Sequence, residues 1–255
     1  MMRVKSGIPG FDELIGGGLP QNRVYLICGP PGSGKTTFSL QFLLQGAYNG
    51  ERGLFISMVE VPENVIDDFS AYGPELKKAV KDGMIKFLDM APETLLEKIP
   101  VQPTRPGTAS NRDIASLLDK MDKDVVVLSS DLLKRMFDAV QKYQATRIVI
   151  DSAMAIRFGS GDEKQQAKEL IRFIRGLKDI GCTSFLVSEL IQPDAYSPEH
   201  FLSHGVIFLH NFLDKGKMKR AVQIVKMRGT SHDTDMHKLE FTRKGMVVSA
   251  LSGIE

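Results

Sequence analysis

The residues best equipped for chemistry in this chain are consecutive: Gly29-Pro30-Pro31-Gly32-Ser33-Gly34-Lys35-Thr36. Their order fits the phosphate-loop pattern G-x-x-x-x-G-K-[ST]. Glycines at these positions let backbone N–H groups converge on phosphate oxygens, and the helix that follows adds the positive end of its dipole. Lys35 would reach the β- and γ-phosphates of a nucleoside triphosphate, the Thr36 hydroxyl would ligate Mg²⁺, and Thr37 stands next to it in the opening helical turn. A second group suits the same chemistry. Arg147-Ile148-Val149-Ile150-Asp151 reads as a buried strand ending in a carboxylate, and Asp151 would hold Mg²⁺ through water. An Asp at a strand end means little alone; beside the loop it completes a site for a metal and a triphosphate.

These residues need a scaffold, and the hydrophobic pattern outlines one. Val24–Cys28 predicts a strand entering the loop, and Thr36–Ala47 a helix leaving it. Leu54–Met58 and Met84–Met90 predict two further strands. Between them Val65, Phe69, Tyr72, Leu76 and Val80 recur at helical spacing, broken at Gly73-Pro74. Residues 91–112, with Pro92, Pro100, Pro103 and Pro106, predict a loop. Asn111 could cap a helix carrying Ile114, Leu117, Leu118 and Met121, ahead of a strand at Val125–Leu128. A helix with Leu133, Met136, Phe137, Val140 and Tyr143 on one face precedes the strand ending in Asp151. Ala167, Leu170, Ile171, Ile174 and Leu177 mark another helix, followed by the strand Thr183–Ser188. From about residue 205 only strands follow: Val206–Leu209, Ala221–Lys226, Leu239–Thr242 and Met246–Leu251. Alternating β and α elements with a strand-only end predict an α/β fold, a mostly parallel central sheet with antiparallel C-terminal edge strands. Glycines at 7, 10 and 16–18 predict a turn-rich approach to the loop in which backbone packs closely on something else.

Composition narrows the classes. At 255 residues the chain suits one large domain spanning 1–255. Hydrophobic residues at 42% supply a sizeable core, and a net charge of +2 points to neither nucleic acid nor an anionic membrane. Cys28 and Cys182 both sit in apolar runs and read as small buried residues, not as a disulfide or a metal pair. No apolar stretch approaches the roughly 20 residues of a membrane span, and the N-terminus has no signal-peptide core. A cytoplasmic location is expected.

Ser6-Gly7-Ile8-Pro9-Gly10-Phe11-Asp12, Gly17-Gly18-Leu19-Pro20, the loop, Val149-Ile150-Asp151-Ser152 and Lys226-Met227-Arg228-Gly229-Thr230-Ser231-His232 together resemble the KaiC-type ATPases of the RecA/RadA superfamily. The likeness runs from about residue 4 to residue 251 and is nearest to the single-domain archaeal type. It implies a RecA-like core, ATP and Mg²⁺ as cofactors, and a homo-oligomeric ring, usually a hexamer, with nucleotide between protomers. It also implies that Lys226 and Arg228 reach the γ-phosphate held by a neighbour, as an arginine finger does, and that His232 lies near the same nucleotide. Residues 92–130 look like an insertion relative to the family.

One departure from the family bears on turnover. Where KaiC-type chains commonly carry two adjacent glutamates that activate the attacking water, this chain has Val59-Glu60. Strand alternation would turn Glu60 to the opposite face from its neighbour, so its service as base is open. Glu189, at the end of another strand, could sense the γ-phosphate. Tight binding with slow hydrolysis is therefore expected, with Lys35, Glu60, Lys226 and Arg228 as the catalytic set.

Other signals are weaker. Glu199, His200 and His204 could make a helical metal site, but the spacing lacks a third ligand and surface histidines are the expectation. His232, Asp233, Asp235 and His237 read as a polar loop. The stretches 158–166 and 191–205, where recombinases of the superfamily bind single-stranded DNA, hold acidic residues and little positive charge, so a DNA-binding recombinase paralogue is the second reading. A nucleotide-binding scaffold that never hydrolyses is the third. Lys215, Lys217, Lys219 and Arg220 form a basic turn, usually a solvated feature. A protein partner is implied by a regulatory ATPase, without any motif that identifies it.

Overall fold

The computed structural model describes residues 2–91, 131–153, 163–189 and 198–249. The expected insertion at 92–130, with the Asn111-capped helix and the strand Val125–Leu128, lies outside the described residues, as do 158–162 and 191–197.

A short ribbon, β1 (Arg3–Val4) and β2 (Leu19–Pro20), stands apart from a nine-stranded sheet. That sheet comprises β3 (Val24–Cys28), β4 (Gly53–Ser57), β5 (Ile85–Asp89), β6 (Arg147–Asp151), β7 (Thr183–Ser188), β8 (Gly205–Asp214), β9 (Lys217–Met227), β10 (His237–Thr242) and β11 (Gly245–Ser249). The helices are α1 (Phe11–Leu14), α2 (Lys35–Tyr48), α3 (Pro62–Phe69), α4 (Glu75–Lys81), α5 (131–143), α6 (Glu163–Ile180) and α7 (Pro198–Leu202). The strand order is β11-β10-β9-β8-β3-β7-β6-β4-β5. From β8 to β5 all neighbours are parallel, whereas β8, β9, β10 and β11 follow one another antiparallel. This is the predicted architecture. β8 and β9 extend further than expected, into a long hairpin that turns at Lys215-Gly216.

The inner parallel strands are buried along nearly their whole length because helices cover both sheet faces, whereas the edge strand β5 exposes Lys86 and Asp89. On β3, Tyr25 and Ile27 join Phe38 and Phe42 of α2 on one side, while Val24, Leu26 and Cys28 join Phe173 and Ile174 of α6 and Met136 of α5 on the other. Phe185 of β7 stacks on Phe42 with ring centroids 4.0 Å apart, fixing α2 and hence the loop over the sheet. Each such burial contributes about 2 kcal/mol. The apolar face of α5 runs through Leu132, Met136, Ala139 and Val140, so Phe137, expected inside, is exposed. Cys28 and Cys182 are buried and free, as predicted, and burial pushes their thiols up to about 12 and about 11.

Arg147 opens β6 fully buried. It donates to the carbonyls of Lys5 and Phe42, both at 2.8 Å, and pairs with both oxygens of Glu51 at 2.8 and 2.9 Å. Every polar edge of the guanidinium therefore has a partner, the condition for keeping a charge inside. The glycine-rich approach packs backbone on backbone as expected: a Cβ on Gly10 would lie 2.1 Å from the carbonyl oxygen of Val248. No helix among the described residues is long and apolar enough to cross a membrane.

Candidate nucleotide-binding site

Parallel strands present their carboxyl ends along one edge, and four of the predicted site residues sit there. β3 runs into the loop; Glu189 follows β7, whose Ser188 pairs with Cys28; Asp151 ends β6; and Glu60 lies just past β4, whose Ser57 pairs with Asp151. Gly29 has φ 146°, and a Cβ there would sit 2.1 Å from the carbonyl oxygen of Leu209. Gly34 has φ 99°, and its Cβ would strike Met246 and Phe241 at 2.6 and 2.8 Å. At Gly29 backbone blocks any side chain and glycine is required sterically as well as conformationally; at Gly34 the positive φ is the firmer requirement, since the atoms in the way are side-chain ends.

Lys35 is buried, and its ammonium donates to the carbonyls of Gly29 at 2.9 Å and Pro30 at 3.1 Å. Burial pushes its pKa down, and the carboxylates of Glu189 and Asp151 oppose that shift. The Thr36 hydroxyl donates to Asp151 at 2.7 Å. Burial pushes Asp151 above the usual carboxylate range; Thr36 and Lys35 work against the rise, and Glu189 and Glu60 add to it. Three carboxylates and one lysine thus share one field. The buried Ser33 hydroxyl has no hydrogen-bond partner among the described residues. Thr37 is half-buried in the first turn of α2, where backbone N–H groups lack intrahelical acceptors.

This donor set fits Mg²⁺ and a polyphosphate: an ammonium on neutral carbonyls, an orphaned hydroxyl, open N–H groups, and a hydroxyl and carboxylate already within one ligand's reach.

The alternation argument for Val59 and Glu60 does not hold. β4 ends at Ser57, whose hydroxyl donates to the Glu60 carbonyl, and residues 58–60 form a bend. Both side chains are exposed, Val59 at 70%, so an apolar residue faces solvent beside the charged cluster.

Lys226, Arg228 and His232 are elsewhere. Met227 pairs with Gly205, which pairs with Tyr25 near the start of β3, so Lys226 and Arg228 lie toward the amino end of the strand whose carboxyl end feeds the loop. Lys226 donates to the carbonyls of His200 at 2.6 Å and Phe201 at 3.1 Å, and Arg228 to that of Phe201 at 2.6 Å. Burial, with the charges of Arg228 and Lys178, lowers Lys226 to about 8. Burial, followed by Arg23, Arg228, Lys178 and Lys226, lowers His204 to about 4. Nδ1 of His232 is 3.1 Å from the Thr230 carbonyl oxygen. One chain therefore does not bring these three residues to its own loop.

Glu199 and His200 are buried and His204 half-buried, which corrects the expectation of surface histidines, and no group of three or more potential metal ligands occurs among the described residues. Asp233 lies in the expected loop and pairs at 3.1 Å with His237, which opens β10 instead of belonging to the loop. Sequence reasoning missed Asn211 and Arg220. Asn211 donates to the Pro31 carbonyl at 3.1 Å and Arg220 to that of Gly32 at 2.8 Å. The only signal was that Arg220 falls next to a hairpin of the strand-only end, and it was assigned to the solvated turn.

A family model described as "ATPase: KaiC" matches residues 4–252. The chain belongs to the KaiC family of ATPases. It is 32% identical over 261 residues to a circadian clock protein, KaiC3, of Synechocystis, covering 99% of this chain and 46% of that protein. It is 30% identical over 257 residues to the circadian clock oscillator protein KaiC of Synechococcus elongatus, covering 99% and 45%. The chain thus spans about half the length of these relatives. A solved structure of a KaiC-like protein from the archaeon Pyrococcus horikoshii superposes with a TM-score of 0.77 at 30% identity, covering 97% of this chain and 99% of that one. The fold is RecA-like, a mixed central sheet flanked by helices.

Proposed function

We propose that this KaiC-family chain is one domain that binds MgATP, hydrolyses it slowly, and does so in a homo-oligomeric ring, on the hexameric plan, with each nucleotide between two protomers. The observation that carries the reading is the separation of the two half-sites. The loop, Asp151 and Glu189 gather at one end of the sheet, while the paired cations Lys226 and Arg228 gather toward the other and hold only carbonyls of their own chain.

In this reading Gly29–Thr37 embraces the phosphates, with Lys35 transferring its donors from the Gly29 and Pro30 carbonyls to phosphate oxygens. Thr36 and Asp151 would hold Mg²⁺, which would supply positive charge to offset that of the polyphosphate. Glu189 reads the γ-phosphate end. Lys226 and Arg228 leave the α7 carbonyls for the neighbour's phosphate, and His232 lies beside it. Glu60 is the available base, and Val59 accounts for the slow step, since it can neither orient nor deprotonate water. In sequence, 158–166 and 191–205 hold acidic residues and a single lysine, which gives the DNA-binding alternative no support, and a regulated protein partner is the expected output.

Size-exclusion chromatography with light scattering tests the assembly. ATP should convert monomer to ring, and Lys35→Ala or Arg228→Ala should abolish the conversion. A chain that stays monomeric at every ATP concentration overturns the shared site.

A further inference from the structure

Asn211 and Arg220 face each other directly across the β8–β9 hairpin, and both side chains reach the phosphate loop. In a loop whose N–H groups converge on an anion, carbonyls point away and need donors from elsewhere. Here four consecutive carbonyls have side-chain donors. Lys35 serves Gly29 and Pro30, Asn211 serves Pro31, and Arg220 serves Gly32.

The two groups differ in what nucleotide binding asks of them. Lys35 must release its carbonyls to meet phosphate. Asn211 and Arg220 need not move.

The contacted peptides are those that set the aim of the loop. Pro30 and Pro31 have no N–H, so the first backbone donor past Gly29 is that of Gly32. Ser33 N–H bonds to the Pro30 carbonyl at 3.3 Å, closing a four-residue turn with Pro31 second and Gly32 third at φ 74°. That is the pattern of a type II turn, which differs from type I by a flip of its central peptide. The central peptide joins Pro31 to Gly32, and in a trans peptide O and H point opposite ways. Holding the Pro31 oxygen against Asn211 therefore aims the Gly32 N–H away from the hairpin. Arg220 holds the next carbonyl while its guanidinium carbon lies 4.8 Å from the centre of the Phe241 ring, the ring that packs against Gly34. Only a planar guanidinium donates from Nε and stacks on a ring at once.

We infer that Asn211 and Arg220 are positioning residues for nucleotide binding, a cross-strand clamp that keeps the loop's donors aimed when Lys35 lets go. This rests on the reading of the loop as the triphosphate site.

The test is titration of full-length protein with a fluorescent ADP analogue and Mg²⁺, alongside thermal melting of the nucleotide-free protein. Asn211→Asp is isosteric but exchanges the donor for a negative charge, so Asn211→Leu, of similar shape and neutral, is titrated beside it. Asn211→Leu should raise Kd about tenfold, and Arg220→Ala and Arg220→Lys alike about tenfold, with the free protein's Tm within about 2 °C of wild type. An unchanged Kd in Asn211→Leu overturns the clamp, as does a Kd restored by Arg220→Lys or a loss of affinity that only follows loss of folded protein. Lys35→Ala separates the two readings. If it binds like wild type, the loop is not the nucleotide site; if it loses binding while Asn211→Leu and Arg220→Ala keep theirs, the clamp alone fails.

Discussion

The two ends of the central sheet handle charge in opposite ways. At the carboxyl end Glu189 and Glu60 act on Asp151, Asp151 and Glu189 act on Lys35, and a hydroxyl already bridges to the buried aspartate. At the amino end the charges that press on Lys226 and His204 are all cations, Arg23, Lys178 and Arg228 among them, and the finger residues rest on neutral carbonyls. An end rich in carboxylates suits a divalent cation that in turn carries phosphate. An end rich in cations suits an anion brought from outside the chain. On the proposed reading, each end is half of a site and a second copy of the chain supplies what the first lacks.

The strongest way to break this contrast is to separate the ends genetically. Lys35→Ala spoils only the loop and Arg228→Ala only the finger, and each alone should lower ATP hydrolysis about a thousandfold. Mixing the two variants should restore activity in small assemblies, because an intact loop on one protomer then meets an intact finger on the other. Mixed assemblies of verified composition that stay inactive would mean the two ends serve different reactions. A smaller effect sharpens the carboxyl end: Val59→Glu should raise kcat about a hundredfold by adding a water-directed carboxylate, measured as phosphate release. No increase would mean that the rate is limited elsewhere than at Val59.

The smallest effect belongs to the amino end and to pH. Lys226 titrates at about 8 instead of 10.5, so the finger loses its proton as pH rises through 8. ATP-driven assembly should weaken by about fivefold between pH 8 and pH 9, while Lys226→Arg stays level. The stability sign is the reverse. The unfolded chain keeps this proton up to pH 10.5, so between 8 and 10.5 it binds more protons and the group's contribution to folding rises with pH. A wild type and a Lys226→Arg variant with the same pH profile would remove Lys226 from the contact.

Much of this was legible in the sequence because it is local. Val24–Cys28 and Ile148–Asp151 are apolar runs buried on both faces, and the loop's glycines carry their own steric signature. What stayed hidden depends on distance or on a strand's exact end. Asn211 lies 180 residues from Pro31 and Arg220 lies 188 from Gly32, so no periodicity joins them. The face of Glu60 was misread because β4 stops at Ser57 and a bend replaces alternation. His200 was assigned to the surface because a polar side chain in a short polar stretch gives no hint of the packing that encloses it.

Strand β9 carries Arg220 and Lys226, six residues apart, about 20 Å at about 3.3 Å per residue. Paired with β8, apart from one irregularity at Val225, it runs as a rod with one tip on its own subunit's loop and the other toward Lys226 and Arg228. In a ring built as proposed, such rods join consecutive nucleotides tip to tip in a closed circuit. A shift at one loop would then arrive at the next subunit as a change in where its γ-phosphate is gripped. Occupancy would be passed around the ring as a sequence of events in time, with direction set by which tip holds the loop.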